Sequence, residues 1–83
     1  MNYLIGEYVK KITEEDVYNF ALKEGTKLLD YETKTIYNYI KNYWKVLINQ
    51  DSTFIFEEIK KIVRPEVYEK VVYLYNKYKR QFN

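Results

Sequence analysis

DYETKTIYNYIKNYWKVLI, residues 30–48, is the stretch that decides the fold of this chain. At 100° per residue most of its apolar side chains share one arc, whereas Glu32, Lys34 and Asn38 lie outside that arc. This spacing predicts an amphipathic helix, the most apolar one in the chain. A short chain has to bury every apolar helix face it has, so we expect the other segments to pack on this helix.

The sequence allows two positions for the end of this central helix. Periodicity alone allows a continuous helix to Ile48, but Asn42 tolerates the left-handed backbone that commonly ends a helix. We therefore predict a helix over residues 31–42 that is capped by Asp30, and we keep the continuous helix as the alternative. In the shorter version, the residues from Tyr43 onward form an apolar connector that folds over the core or contacts a partner.

Composition bounds the class of protein. Eighty-three residues are enough for one core but not for two, and the absence of cysteine excludes disulfides and thiolate metal sites. The 14 basic and 12 acidic residues alternate along the chain instead of forming the one-sign stripe typical of nucleic-acid binders. The 11 tyrosines accompany many Lys, Asn and Ile residues, a composition that an AT-rich genome produces by itself.

Neither an export signal nor a membrane segment is recognisable in the sequence. Apolar runs are short, such as residues 46–48, 54–56 and 71–75, and all fall far short of the ~20 residues that a spanning helix needs. The polar faces of the helices mix Glu and Lys, which does not favour binding to a membrane surface. We therefore expect a soluble, cytoplasmic protein.

Local signals divide the rest of the chain into helices. Thr13 with Asp16 three residues later is a capping box, Gly25 supplies a helix end, and Pro65 suits the first position of a new helix. No segment alternates apolar and polar residues as a strand does. The sequence predicts an all-α, compact single domain over residues 1–83, with four to five short helices at about 3–10, 14–24, 31–42 or 31–48, 53–63 and 65–80.

The predicted core draws on every helix after the first. We expect Leu28 and Leu29, in the connector before the central helix, to lie under the core. Apolar residues of the last helix cover an arc of roughly 160°, wider than the usual ~100° stripe, so this helix needs two neighbours. The predicted core consists of Val17, Phe20, Ile36, Ile40, Ile55, Ile59, Ile62, Val71, Val72 and Tyr75.

The residues needed for catalysis are missing or badly placed. Without histidine or cysteine, the chain lacks the commonest general base, the commonest metal ligand and the usual nucleophilic dyads. Ser52 fits a helix cap, and the neighbouring pairs Glu14/Glu15 and Glu57/Glu58 point to different sides of a helix. We predict a protein that is not an enzyme, with no catalytic or metal site, no cofactor and no small-molecule substrate.

A nucleic-acid-binding helix-turn-helix is the alternative. Residues 14–24, the turn at Gly25 and residues 31–42 follow the order of that motif. However, the connector is long, the recognition helix would begin with the acidic Glu32 near the phosphates, and Lys34 stands where a buried aliphatic residue is usual. We therefore rank nucleic acid below protein as the partner.

Several short segments of the chain form a pattern in their order and spacing. They are Ile12-Thr13-Glu14-Glu15, Phe20-Ala21-Leu22-Lys23, Gly25, Leu28, Ile36 and EEIKKIVRPE at residues 57–66. Together they resemble the YqfT-type family of small uncharacterised proteins from low-GC Gram-positive, spore-forming bacteria. The resemblance covers residues 5–80 and implies a compact helical protein from an AT-rich bacterial genome, with no assigned activity. Two positions depart from the family pattern: Arg64 replaces a serine before the Pro-Glu pair, and Asn42 replaces a glycine that ends the central helix.

The surplus of aromatic residues indicates a function in binding. Because the sequence shows no catalytic residues, we predict an interaction or adaptor module whose partner is a protein. That partner includes the case of a second copy of the chain, in a homodimer. The candidate surface consists of aromatic side chains that lie outside the helical core arcs or in the connector after the central helix. These are Tyr39, Tyr43, Trp44, Phe54 and Tyr73.

Overall fold

Five helices account for most of the chain. The computed structural model describes residues 2–82, with side chains described for residues 6–79. α3 contacts α1, α2 and α4, and α5 packs mainly on α4, so the central position expected for the opening stretch is confirmed. The all-α prediction is confirmed as well. The helices are α1 (Asn2–Lys11), α2 (Glu14–Lys23), α3 (Asp30–Asn49), α4 (Thr53–Ile62) and α5 (Pro65–Phe82).

The boundaries of α2 follow its local signals. Thr13 Oγ1 accepts the Asp16 amide at 3.1 Å, and the Thr13 amide donates to Asp16 Oδ2 at 3.0 Å, so the predicted capping box is present. At the other end, Gly25 has a φ of +92°, a conformation that costs glycine little because it has no Cβ. The Thr26 amide then donates to the Ala21 carbonyl at 2.8 Å, which closes the helix as predicted.

The predicted cap of α3 is wrong. Asp30 is already the first helical residue, and the residue at the cap position is Leu29. The carboxylate of Glu32 reaches back instead and accepts the Leu29 amide at 2.8 Å. Glu32 can do this because it stands at the third helical position, from which a carboxylate reaches the free amides of the first turn.

The predicted end of the central helix near Asn42 is also wrong, although the chain does bend there. α3 runs to Asn49 with one non-helical residue, Tyr43 (φ −129°, ψ 19°), so a kink replaces the stop. Within residues 2–82, Gly25 is the one residue with positive φ, so Asn42 does not adopt the left-handed conformation. The segment after the kink is helical, because the Tyr75 hydroxyl holds the Leu47 carbonyl and the neighbouring helices hold its side chains.

The core confirms part of the predicted set. Val17, Ile36, Ile55 and Ile59 are buried, as is Leu28 of the connector. Three predictions were wrong: Phe20 and Ile62 are each 43% exposed, and Leu29 is 45% exposed. The predicted Ile40, Val71, Val72 and Tyr75 are partly buried. The buried apolar residues absent from the predicted core set are Val9, Ala21, Val63 and Val67.

The error in α4 has a geometric cause. Residues four apart lie on nearly the same side of a helix, and Ile55, Ile59 and Val63 follow that spacing into the core. Ile62 lies about 60° from the middle of this row, on the side away from Val63, and its side chain is 43% exposed. Within the described part of the chain, no helix is both long and apolar enough to cross a bilayer.

Candidate functional site

Three of the predicted surface aromatics meet on one face of the bundle. Tyr39 and Tyr43 come from α3, one turn apart, and their rings stack with centroids 5.7 Å apart at 26°. Phe54, from the first turn of α4, packs edge-on against Tyr43 with centroids 6.0 Å apart at 85°. We call Tyr39, Tyr43 and Phe54 the aromatic patch. It joins two helices that the polar segment at residues 50–52 separates in sequence.

The aromatic patch faces solvent. Phe54 is 47% exposed and Tyr43 is 38% exposed, whereas Tyr39 is half-buried beneath them. The kink of α3 lies at Tyr43, in the middle of this group. Because α3 contains neither proline nor glycine, we attribute the kink to the contacts on either side of it. Phe54 contacts the ring of Tyr43 at the kink, and the Tyr75 hydroxyl donates to the Leu47 carbonyl one turn later.

A carboxylate borders the aromatic patch. Tyr39 donates its hydroxyl proton to Glu58 Oε1 at 2.5 Å, and Glu58 lies one turn after Phe54 on α4. This hydrogen bond, aided by burial, raises the pKa of Tyr39 to about 12, so the phenol stays neutral at physiological pH. Among residues 6–79, Glu58 has no basic partner in an ion pair.

The rings of the aromatic patch also lack a cation. Lysine ammonium groups lie 5.2 to 6.0 Å from six other rings, a distance suited to cation–π attraction. No lysine or arginine among the described side chains lies over Tyr39, Tyr43 or Phe54. The covered rings are Tyr37, Trp44, Tyr68, Tyr73, Tyr75 and Tyr78.

Trp44 lies away from the aromatic patch and supports the fold. Its indole packs against Gly6 of α1 so closely that a Cβ atom on Gly6 would come within 2.9 Å of the ring carbons Cη2 and Cζ2. Gly6 is buried and Trp44 is half-buried. This contact places α1 on α3, and it gives the helical glycine of α1 a physical reason.

Tyr73 also lies apart from the aromatic patch. It is 56% exposed on α5, and the ammonium groups of Lys70 and Lys77 lie 5.6 and 6.0 Å from its ring centroid. None of the aromatic contacts in the described structure joins Tyr73 to Tyr39, Tyr43 or Phe54. The structure therefore brings together three of the five predicted surface residues.

A buried ion pair was missed by the sequence analysis. Glu32 is 0% exposed, and its carboxylate accepts Arg64 Nε at 3.0 Å, Arg64 Nη2 at 2.9 Å and the Arg64 amide at 2.9 Å. Burial by itself raises the pKa of Glu32, but the hydrogen bonds from Arg64 and Leu29 outweigh burial and hold that pKa below its usual value. Both carboxylate oxygens of Glu32 accept hydrogen bonds from Leu29 or Arg64. We call Glu32 and Arg64 the clamp, because their contact holds two distant segments together and leaves neither carboxylate oxygen without a partner.

Arg64 also contacts a third segment of the chain. Its Nη2 also donates to the Lys27 carbonyl at 3.0 Å, so one side chain joins the α4–α5 junction to the loop before α3. Glu32 and Arg64 are 32 residues apart in sequence, so no local sequence signal indicates that they pair.

An open groove of about 780 Å³ runs between α2 and the start of α3. Tyr18, Leu28 and Tyr31 line it, and the Lys34–Glu14 ion pair, with 3.1 Å between Nζ and Oε1, crosses it. Every buried polar side-chain atom in the described part of the chain has a hydrogen-bond partner, so none is left to orient a ligand in this groove. The groove is an open depression on the surface, lined by both apolar and charged side chains.

Two further observations bear on function. Across residues 2–82, no three acidic, histidine or cysteine side chains come close enough to hold a metal ion. No protein-family model, curated protein or solved structure matches the chain.

Proposed function

We propose that this chain is a small, non-enzymatic adaptor of the cytoplasm that binds a partner protein through the aromatic patch. One observation carries the proposal: Tyr39, Tyr43 and Phe54 form a continuous ring cluster across two helices, and it remains exposed. Aromatic rings offer a large contact area with few rotatable bonds, and they dominate the centres of protein interfaces. Membership of the YqfT-type family is a separate proposal, and it assigns no activity to this chain.

The rigidity of the aromatic patch supports binding rather than accidental exposure. Stacking fixes Tyr43 against Tyr39, and the hydrogen bond to Glu58 fixes Tyr39 in turn. A partner therefore meets side chains that are already ordered, which lowers the entropy cost of association. Single exposed aromatics such as Tyr8 have no such support and are ordinary surface features.

Site-specific photo-crosslinking tests the proposal. Phe54 is replaced by p-benzoylphenylalanine, the tagged chain is irradiated in an extract of the source cell, and half of each sample is treated with nuclease. The matched control carries the same crosslinker at Tyr8, which is more exposed than Phe54 and lies on α1. We expect a discrete protein adduct from position 54 that survives nuclease and is absent from position 8.

Two results would contradict the proposal. One is an equal adduct pattern at both positions, which would mean that Phe54 is ordinary surface. The other is an adduct at position 54 that disappears on nuclease treatment, which would favour the nucleic-acid alternative. An adduct of twice the mass of the chain identifies a second copy as the partner, and this outcome is one form of the proposed function.

A further inference from the structure

Among the described side chains, two clusters use the same kinds of contact, although the second divides them between two tyrosines, and only the first includes a cation. In the first cluster, the Tyr78 hydroxyl donates to Glu24 Oε2 at 3.3 Å, and Phe20 packs edge-on against Tyr78 with ring centroids 5.6 Å apart. Lys77 completes this site: its ammonium lies 5.3 Å from the Tyr78 centroid and 3.8 Å from Glu24 Oε1. The ammonium group of Lys77 thus contacts a ring face and a carboxylate at the same time.

The aromatic patch repeats these elements without the cation. Tyr39 donates to Glu58 as Tyr78 donates to Glu24, and Phe54 packs edge-on against a tyrosine as Phe20 does. The rings carry no lysine or arginine from residues 6–79, and Glu58 has no basic partner there. Ring faces and a carboxylate both attract positive charge, so the missing component is a cationic group.

From this juxtaposition we infer that the partner protein of the aromatic patch presents an arginine or lysine side chain, which lies over Tyr43 and Phe54 and pairs with Glu58. The inference rests on the proposed function and specifies the chemistry of the partner. Arginine fits best, because its planar guanidinium stacks on a ring while its N–H groups donate to a carboxylate. Glu58 uses one lone pair for Tyr39 and keeps the others free for such a donor.

Two synthetic peptides test the inference with the full chain. One is a decapeptide that alternates arginine and alanine, and the other alternates glutamate and alanine. Binding is followed by two-dimensional NMR of the isotope-labelled chain, which locates the contact and shows whether each variant is folded. We expect saturable shifts centred on Tyr39, Tyr43 and Phe54 with the arginine peptide alone, and weaker binding at high salt because exposed charge pairs are screened.

Matched variants separate the site from general charge attraction. Glu58→Gln should weaken arginine-peptide binding roughly two- to fivefold, the range for an exposed ion pair. Glu69→Gln removes the same charge from an exposed residue of α5 and should leave binding unchanged. Phe54→Ala should weaken binding by a similar roughly two- to fivefold factor. Tyr73→Ala, which removes a ring already covered by two lysines, should have no effect.

Three results would overturn the inference: equal binding of the two peptides, equal effects of Glu58→Gln and Glu69→Gln, or shifts that centre elsewhere on the chain. Concentration-dependent shifts at the aromatic patch without any peptide would also overturn it, since a second copy would then be the occupant. If crosslinking at position 54 captures a protein while the arginine peptide fails, the proposed function stands and only the cationic partner is rejected.

Discussion

At the scale of single residues, Glu32 and Arg64 connect parts of the chain that are distant in sequence. Glu32 is fully buried, and its carboxylate accepts hydrogen bonds from the backbone or side chain of Leu29 and Arg64. An ionised group stabilises a folded chain only while such partners replace the water it has lost. Removing the side chain of Glu32 or Arg64 should therefore lower the free energy of unfolding by more than removing a surface ion pair does.

The pH dependence of stability follows from Glu32. Its folded-state pKa lies below the ordinary value of 4.5, so its contribution is present above that value and is lost as the pH falls through the folded-state pKa. We expect the free energy of unfolding, measured by urea titration, to fall as the pH drops below about 4.5, and Glu32→Gln to flatten this fall. Exposed Glu15→Gln is the control, and an equal acid response in both variants would contradict the assignment.

Arg64→Ala tests the other half of the clamp. It leaves the carboxylate of Glu32 buried with backbone amides alone, so we expect the free energy of unfolding to fall. Because the Arg64 side chain is 35% exposed, water makes this loss smaller than for a fully buried pair. Arg64→Lys, which keeps the charge but not the forked geometry, should recover only part of this loss. Glu66→Gln, which removes an exposed partner 3.6 Å from Arg64, should change stability by less than about 1 kcal/mol. A small effect of Arg64→Ala would show that solvent replaces the guanidinium.

At the scale of helices, α5 is held to the bundle near its middle by Tyr75. The Tyr75 hydroxyl accepts a hydrogen bond from Ser52 at 3.1 Å and donates its own proton to the Leu47 carbonyl, while its ring packs on Phe56 at 4.7 Å. One side chain thus contacts the end of α3, the start of α4 and the α3–α4 turn. Because Ser52 is buried, its hydroxyl depends on Tyr75 for a partner.

Tyr75→Phe keeps the ring and removes the hydroxyl. We expect it to lower the free energy of unfolding by about 1–2 kcal/mol, because a buried hydroxyl and a carbonyl lose their partner. Tyr68→Phe on the same helix is the matched control, since no contact of its hydroxyl is seen. In the Tyr75→Phe background, Ser52→Ala should lower the free energy of unfolding by less than it does in the wild-type chain. If the effects of the two substitutions simply add, Ser52 and Tyr75 do not share a hydrogen-bond network.

The position of α1 depends on Gly6 and Trp44. In an unobstructed helix, Gly→Ala adds roughly 0.5–1 kcal/mol of stability. At Gly6 the new Cβ would lie 2.9 Å from the Trp44 ring, so we expect Gly6→Ala to give no gain and to shift the fluorescence of Trp44, the single tryptophan. In a Trp44→Leu background, the same substitution should become stabilising. A gain in the wild-type background would show that α1 moves aside without cost.

At the scale of the whole molecule, the numbers of basic and acidic residues are nearly equal, and some of them form ion pairs within the chain. The net charge is +2, Lys10 and Lys34 pair with Glu7 and Glu14, and Lys77 pairs with Glu24. A radius of gyration of 12.0 Å matches the ~12 Å expected for a compact chain of this length. Basic and acidic residues also alternate along the sequence, which does not favour the long basic stripe that follows a phosphate backbone.

Binding to nucleic acid should accordingly be weak. In a gel-shift series at low salt, we expect no retention of a random-sequence DNA duplex at micromolar protein, because non-specific affinity grows with the number of phosphates neutralised. Lys34, at the start of the supposed recognition helix, is already paired with Glu14 at 3.1 Å. Retention that weakens steeply as salt increases would revive the helix-turn-helix alternative.

How far the sequence could predict the structure depended on the distance between interacting residues. The capping box at Thr13, the turn at Gly25 and the helix start at Pro65 all rest on contacts within about five residues, so they were predicted correctly. The sequence could nominate the residues of the candidate surface but not their grouping. Tyr39, Tyr43 and Phe54 could be nominated separately, whereas their contact required the angle between α3 and α4.

The sequence by itself determined that the chain is helical and where most helices begin and end, because propensity, capping and apolar periodicity act along the local backbone. Only the tertiary structure decided which flank of α4 faces inward, that α3 bends at Tyr43 without ending, and that Glu32 meets Arg64. These outcomes depend on how helices pack against one another. A helix presents several apolar faces of similar width, and only its neighbours select the one that is buried.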